Sequence, residues 1–424
     1  MIERKSADLV VLGAGPAGMA AACAATESGA AVLVVEREER AGGILKQCVH
    51  DGFGLVRYGE KLTGPEYALR DAATLRAMGI PVMYDTFVSR VARDGDGFIL
   101  HCVNRDGITE LRARALVLAT GCRERTDRQV FIHGDRPAGV YTAGLAQYLV
   151  NVQGLKPGRK AVILGSGDIG LIMARRLCLE GVEVEGVYEI KNEPSGLSRN
   201  VRQCLEDFSI PLELSTTVLA VHGRRRVEGV TLARVDDRLR PIPGSERELA
   251  CDTLVLSVGL IPENELARSL EVPLDGVTRG PRVDQDMHTL ADGVFACGNA
   301  VHVNDLVDYV SESGAVAGEA AAAWARGGRR VRSLVPLKAG PGFLYAVPQF
   351  VDAASERPPT VYFRSNSTMP DGATVSATTA GGSVAFSRRW QALRPPEMER
   401  FTLPAGTAFA DEAGLLLGLE RNGR

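Results

Sequence analysis

The clearest pattern along the chain is a set of short, solidly apolar runs separated by mixed or polar stretches. Residues 8–12 (DLVVL) are aliphatic and β-branched without alternation, which predicts a strand covered on both faces. The run leads into Gly13-Ala14-Gly15-Pro16-Ala17-Gly18 and then a small-residue helix, MAAACAATES, with Gly29 as its C-cap. A second buried strand follows at 31–35 (AVLVV), with Glu36 at its end. Together these make one βαβ unit. The same order returns later: AVIL at 161–164, Gly165-Ser166-Gly167-Asp168-Ile169-Gly170, the helix LIMARRLCLEG, the strand VEVEGVY and Glu189. Gly13 and Gly165 lie 152 positions apart, so the repeat is that of a domain and not of a short solenoid unit.

Each copy is followed by a comparable sequel. A charged, β-like stretch at 85–114, with turn signals at Asp94-Gly95, Asp96-Gly97 and Asp106-Gly107, runs into a buried strand at 115–119 and then Thr120-Gly121. In the second copy a charged, turn-rich segment (223–250) precedes a strand at 254–258 and Gly259. A last buried turn, Gly293 to Asn299, is followed by an alanine-rich helix around 311–326. After the basic break Arg326–Arg332 the chain turns rich in Pro, Gly, Ser and Thr, with several β-like runs. The expected fold class is α/β: two Rossmann-like three-layer dinucleotide-binding domains, the second inserted in the first, plus a small C-terminal β-rich domain. The expected boundaries are 1–124 with 269–330, 125–268, and 331–424.

Composition narrows the classes. The formal net charge of -3 and a pI near 6.2 give no support for nucleic-acid binding. Glycine, at 47 of 424 residues, is well above the usual ~7%, and no Gly-X-Y period or matching proline excess accompanies it. The eight cysteines are scattered, without a Cys-x-x-Cys pair, and read as reduced thiols. The start of the chain has no signal-peptide pattern, and no run of 18 apolar residues predicts a membrane span. A cytoplasmic protein is the expectation.

The glycine spacing carries the chemistry. A lone Gly-x-Gly-x-x-Gly is weak evidence, but both copies here sit between strand and helix, each with an acid 23 or 24 residues on. Gly13 and Gly165 would allow the tight turn, Gly15 and Gly167 would let the backbone approach a diphosphate, and Gly18 and Gly170 would let helix and strand pack closely. The diphosphate would lie on helix N-terminal amides, with Glu36 and Glu189 accepting from ribose hydroxyls. A carboxylate at Glu189 disfavours a 2′-phosphate, so NAD(H) is expected over NADP, although Lys191, Arg199 and Arg202 lie nearby in sequence.

The motif order, Gly13-x-Gly15-x-x-Gly18, Ala119-Thr120-Gly121, Gly165-x-Gly167-x-x-Gly170 and Gly293-x-Phe295-Ala296-x-Gly298-Asn299, resembles the two-dinucleotide-binding-domain flavoproteins of the pyridine nucleotide-disulfide reductase superfamily. The stretches GGILKQCVHDGFG, LTGPEYA, ATGCRERT, RPAGVYTAG and LVLSVGLIPENEL look like the α-type subunits of dye-linked amino-acid dehydrogenases, opine oxidases and hydrogen cyanide synthase. They look still more like the oxidoreductase associated with glycerol-3-phosphate dehydrogenase. The resemblance implies FAD in the first fold, at Gly13, Gly15, Pro16, Ala17, Gly18, Glu36, Arg37, Gly43, Ala119, Thr120, Gly121, Gly298 and Asn299. It implies a nicotinamide nucleotide in the second, at Gly165, Gly167, Asp168, Ile169, Gly170, Glu189 and Gly259. It also implies that the helix opened by His302–Tyr309 points its N-terminus at the flavin.

Departures from that pattern matter. The usual Asp is Asn299 here. A disulfide reductase needs two cysteines near the flavin, yet Gly42-Gly43 is followed only by Cys48, with the next at Cys102. No histidine follows His302 to serve as a C-terminal base, and no cysteine follows Cys297 to ligate an iron–sulfur cluster. Disulfide reduction is therefore not expected, and neither is a metal site. Cys48 and His50 are weak catalytic candidates, with packing the plainer reading of both. The expected activity is hydride transfer between NAD(H) and FAD, with electrons exchanged with a partner subunit or small carrier in an oligomer. Two alternatives stay open: a non-catalytic nucleotide-binding or electron-relay subunit of a hetero-oligomeric amino-acid or glycerol-3-phosphate dehydrogenase, and a self-sufficient amine or hydroxy-acid dehydrogenase.

Overall fold

The computed structural model describes residues 3–328, 331–404 and 414–421. They form two compact units: residues to Cys122 with those from Pro262 on, and Arg123–Ile261.

In the first unit the strand begun by the polar N-terminus runs Glu3–Leu12, longer than its apolar half. It gains length because Glu3 to Ala7 pair with Thr109 to Ala113 of strand Gly107–Leu118, which extends beyond the core as part of a hairpin meander. The two hairpin turns fall at the Asp-Gly signals, with Asp94 opposite Gly97 and Asn104 opposite Gly107. Behind them is a parallel sheet in which Val82–Met83, Val32–Val35, Glu3–Leu12, Gly107–Leu118 and Val294–Ala296 are neighbours in that order. Leu9 to Leu12 are at most 2% exposed, which explains why that run shows no alternation.

Helices Pro16–Glu27 and Val307–Ala325 lie against each other on one side of this sheet. Their contact is made of small residues: a side chain at Gly314 would overlap the Ala17 carbonyl, and one at Gly318 the Ala21 carbonyl. The second helix starts at Val307, four residues before the apolar pattern suggests.

Residues after 331 build two antiparallel-rich sheets around a core of their own, including Val335, Leu337, Phe363, Val375 and Leu417. This β-rich region is gathered into the first unit. The ties are specific: Gln285 exchanges two buried hydrogen bonds with the Asp352 backbone (2.8 and 2.9 Å), and Arg357 Nε donates to Asp286 at 2.9 Å. The segment after Pro262 likewise stays with the first unit, since Asn264 Nδ2 donates to Arg279 O and Ala300 O, each at 3.0 Å.

The second unit holds an all-parallel sheet in the order Val140–Thr142, Thr253–Leu256, Lys160–Leu164, Glu183–Tyr188, Leu212–Glu213. Its central strand is covered twice. Ala161 and Ile163 face a core that includes Leu171 and Leu177 of helix Asp168–Leu179, while Val162 and Leu164 face one shared with Val218, Val230 and Leu232 of a four-stranded sheet.

Candidate dinucleotide-binding sites

In the first unit strand Glu3–Leu12 stops at Gly13, whose φ of 105° is a conformation that side-chain-bearing residues avoid. Gly13 N donates to Val35 O at 2.8 Å and Ala119 N to Leu12 O at 3.0 Å. A Cβ at Gly13 would stand 2.5 Å from Ala119 O, and one at Gly18 would overlap the Gly13 carbonyl. Helix Pro16–Glu27 then begins with no side-chain cap. Pro16 takes the first helical position, where its missing N–H costs nothing.

Glu36 is 6% exposed, and its carboxylate turns back onto this loop: Oε2 accepts from Ala14 N at 2.6 Å and Oε1 from Glu38 N at 2.9 Å. Gly42 N donates to Ala14 O at 2.8 Å, which brings Gly43 against Gly15. Arg37 is exposed at the strand end. Thr120 Oγ1 donates to Glu263 O at 2.6 Å and Glu263 N to Gly121 O at 3.0 Å, fixing the loop after Ala119. Gly298 lies against Ala17, and its N–H donates to Ser313 Oγ at 2.9 Å. Asn299 Oδ1 accepts from the backbone and side-chain nitrogens of Asn304, at 3.0 and 3.2 Å, while its Nδ2 points at Cys122 Sγ, 3.6 Å away. The fold thus gathers the glycine turn, Gly43, Ala119–Gly121 and Gly298–Asn299 into one place.

The second unit repeats the construction. Gly165 has φ 96°, its N–H donates to Tyr188 O at 2.7 Å, and Ser257 N donates to Leu164 O at 2.7 Å. A Cβ at Gly165 would overlap the Ser257 carbonyl, and one at Gly170 would be 2.5 Å from Gly165 O. Gly167 is the N-cap of helix Asp168–Leu179, again without a side-chain cap, and Ile169 is in its first turn. Glu189, 3% exposed, accepts from Ser166 N (3.0 Å), Ser166 Oγ (2.6 Å) and Lys191 N (3.1 Å). Gly259 O accepts from Arg125 N at 3.0 Å. Lys191, Arg199 and Arg202 are exposed.

Cys48 lies against the start of helix Gly64–Ala77, where Gly64 N donates to Cys48 O at 2.9 Å. Cys48 Sγ contacts Ile44 O at 3.4 Å, and burial pushes its pKa up to about 12, so it is a neutral thiol near pH 7. The His50 ring packs 5.0 Å from that of Phe53.

One buried network has no motif in the sequence. Asp308, 4% exposed in the first turn of helix Val307–Ala325, accepts from Arg57 N at 2.8 Å and Gly54 N at 3.3 Å. Tyr67 OH meets Ser311 Oγ at 2.8 Å, and Asp71 holds Tyr58 OH (2.6 Å) and Arg57 (3.0 Å). Burial raises the Asp71 pKa against the opposing pull of Arg57. The network pins residues 54–71 to the start of the helix, and only the long-range fold brings its members together.

Two turns whose first and third glycines leave no room for a side chain, each with an uncapped helix start and a carboxylate closing the loop, suit the diphosphate of a dinucleotide. A model of the family described as pyridine nucleotide-disulphide oxidoreductase matches residues 7–327. The chain belongs to this family. Membership in this family implies FAD and NAD(P) binding. An opine oxidase subunit from Rhizobium meliloti (strain 1021) is 27% identical over 314 residues, covering 69% of this chain and 66% of that protein. The hydrogen cyanide synthase subunit HcnB of Pseudomonas protegens is 27% identical over 279 residues, covering 62% of this chain and 58% of that protein. The chain therefore spans less than two thirds of either relative. Thioredoxin reductase of T. acidophilum shares the fold, with a TM-score of 0.61 at 21% identity over 75% of this chain and 98% of that one. No helix among the described residues is long and apolar enough to cross a membrane.

Proposed function

We propose that the first unit holds FAD, that the second holds NAD(H), and that the protein passes a hydride between them and exchanges electrons with a partner subunit or small carrier. The observation that carries this reading is the duplicated turn, built with the same contacts around Gly13 and Gly165. When bound, the flavin supplies the hydride and electron chemistry. The chain supplies position. Amides at the start of helix Pro16–Glu27 face one diphosphate, and those of helix Asp168–Leu179 face the other. Gly43, Thr120 and Asn299 border the first site. The start of helix Val307–Ala325, which has no side-chain cap, offers N–H groups to negative charge building on a reduced flavin.

We read the protein as no disulfide reductase. The sequence has no Cys-x-x-Cys, and Cys48, the cysteine nearest Gly43 in sequence, is held as a neutral thiol. The relatives named as subunits of an opine oxidase and a hydrogen cyanide synthase favour a partner subunit for this chain too. The buried carboxylate of Glu189 favours NAD(H) over the phosphorylated form.

Purified protein is expected to be yellow and to lose its flavin absorbance when NADH is added without oxygen, more readily than with NADPH. Protein that stays colourless after FAD reconstitution would overturn the first assignment. Bound FAD that neither nucleotide reduces would favour a nucleotide-binding subunit without hydride transfer.

A further inference from the structure

The second glycine turn differs from the first at its fourth position, where Asp168 replaces Pro16. A carboxylate at the first position of an uncapped helix can fold back onto that helix's own N-terminal amides. Those amides are the ones a diphosphate would use, so an unrestrained Asp168 competes with the ligand in geometry and repels it in charge. The structure holds this carboxylate elsewhere. Asp168 Oδ1 accepts from Asn200 Nδ2 at 2.7 Å and from Leu197 N at 2.9 Å.

The segment carrying these donors is itself fixed to the turn. Ser195 N donates to Ser166 Oγ at 2.9 Å, and that hydroxyl donates to Glu189. Gly196 sits so close that a Cβ there would come within 2.7 Å of Leu171 Cδ1, 2.8 Å of Ser166 O and 2.9 Å of Asp168 Oδ1. The segment's own cations, Lys191, Arg199 and Arg202, are exposed, and the two hydrogen bonds from Asn200 and Leu197 hold the carboxylate without them.

We propose that Asn200 is a positioning residue of the second nucleotide site: with the Leu197 amide, it holds the Asp168 carboxylate off the start of helix Asp168–Leu179 and so keeps those amides open to the nucleotide diphosphate. The inference rests on the second unit being a nucleotide site. It gives residues 195–200 a task distinct from contact with the ligand, and it makes Asp168 a negative element that the protein restrains.

The test is a double-mutant cycle read by calorimetric titration of the FAD-loaded protein with ADP-ribose and with NADH. Asn200→Ala is expected to weaken both by about tenfold, the scale of a hydrogen bond to a charged group. Asp168→Asn alone is expected to bind both more tightly than the parent, since the charge that repels the diphosphate is gone. Asp168→Asn/Asn200→Ala is expected to return to within about threefold of Asp168→Asn, because the competing charge is gone. The exchanged pair Asp168→Asn/Asn200→Asp keeps the contact with its charge moved off the helix, and should also bind well. Thermal melts of every variant separate loss of folding from loss of binding.

An Asn200→Ala protein that binds like the parent, or a double variant as weak as Asn200→Ala, would overturn the inference and leave the nucleotide site standing. A parent protein that binds neither ADP-ribose nor NADH would overturn the reading of the site, and the inference with it.

Discussion

Glu36 and Glu189 end equivalent strands, and in the folded chain each turns its carboxylate onto the residue between the first two glycines of its own turn, Ala14 or Ser166. From the sequence both read as acceptors for ribose hydroxyls, since only their spacing from the glycines is visible there. The hydrogen bond to the loop depends on the strand, turn and helix closing together, which spacing does not encode. The turns at 13–18 and 165–170 are legible because a close backbone approach leaves no room for a side chain at Gly13, Gly18, Gly165 and Gly170. Two substitutions separate the units on that ground. Gly18→Ala is expected to abolish FAD retention, whereas Gly170→Ala should leave the flavin bound and weaken NADH by at least about tenfold, since only the second turn is spoiled. Absorbance spectra and nucleotide titration of the two variants check this.

His302 adds a pH dependence at the same scale. It is 3% exposed between Tyr345 and Tyr362, and neither ring nitrogen has a hydrogen-bond partner among the described residues. Burial, aided by the positive charge of Arg364, drives its pKa down to about 3 from an ordinary 6.5. Between those values the unfolded chain binds a proton that the folded chain refuses. Its contribution is therefore complete above about pH 6.5 and falls away as the pH drops toward 3, at roughly 1.4 kcal/mol per pH unit at most. His302→Phe should flatten that part of the stability curve. Urea midpoints for parent and variant between pH 4 and 7 (roughly the window set by the two pKa values) give the comparison, and equal slopes would contradict it.

At the scale of elements, the decisive contact is that between helices Pro16–Glu27 and Val307–Ala325. The alanine-rich run announces the second helix, but its first turn is hidden. Leu306 at the N-cap and the buried Asp308 in the first turn carry none of the usual Ser, Thr or Asn capping signal. Gly314 and Gly318 are equally silent in the sequence, since a glycine inside a helical pattern shows its purpose only once its neighbour is known. Here the neighbour is backbone: the Ala17 and Ala21 carbonyls fill the space a side chain would need. Gly318→Val should push the helices apart and destabilise the first unit by about 3 kcal/mol, the upper range for overpacking. A lowered melting temperature together with faster FAD loss is the expected pair of readouts.

Across the whole molecule, the α/β character and the second fold set within the first can be read from the repeat, and the β-rich end from its composition. Less legible is the attachment of that end, because isolated polar residues make it. Gln285, Asp286 and Asp305 reach Asp352, Arg357 and Arg364 across long stretches of sequence, and no local pattern marks such pairs. Gln285→Ala removes two buried hydrogen bonds to Asp352 and is expected to cost about 2 kcal/mol. Hydrogen exchange should then show strands Leu334–Ala339 and Phe350–Asp352 opening before the parallel sheet. Saturating FAD should raise the melting temperature of the parent protein's first unit, β-rich end included, as binding to the native state requires.

The split of the first unit along the chain also sets a timetable for its synthesis. Strand Val294–Ala296 completes the parallel sheet beside Leu116–Leu118, Gly298 seats against Ala17, and Gly318 closes on Ala21. A nascent chain that has only passed residue 122 therefore carries a glycine turn with one wall missing. The second unit, Arg123–Ile261, is contiguous and can fold as soon as it leaves the ribosome. The order of assembly is then inner unit first and outer unit last, with flavin capture waiting for residues near 320 to emerge.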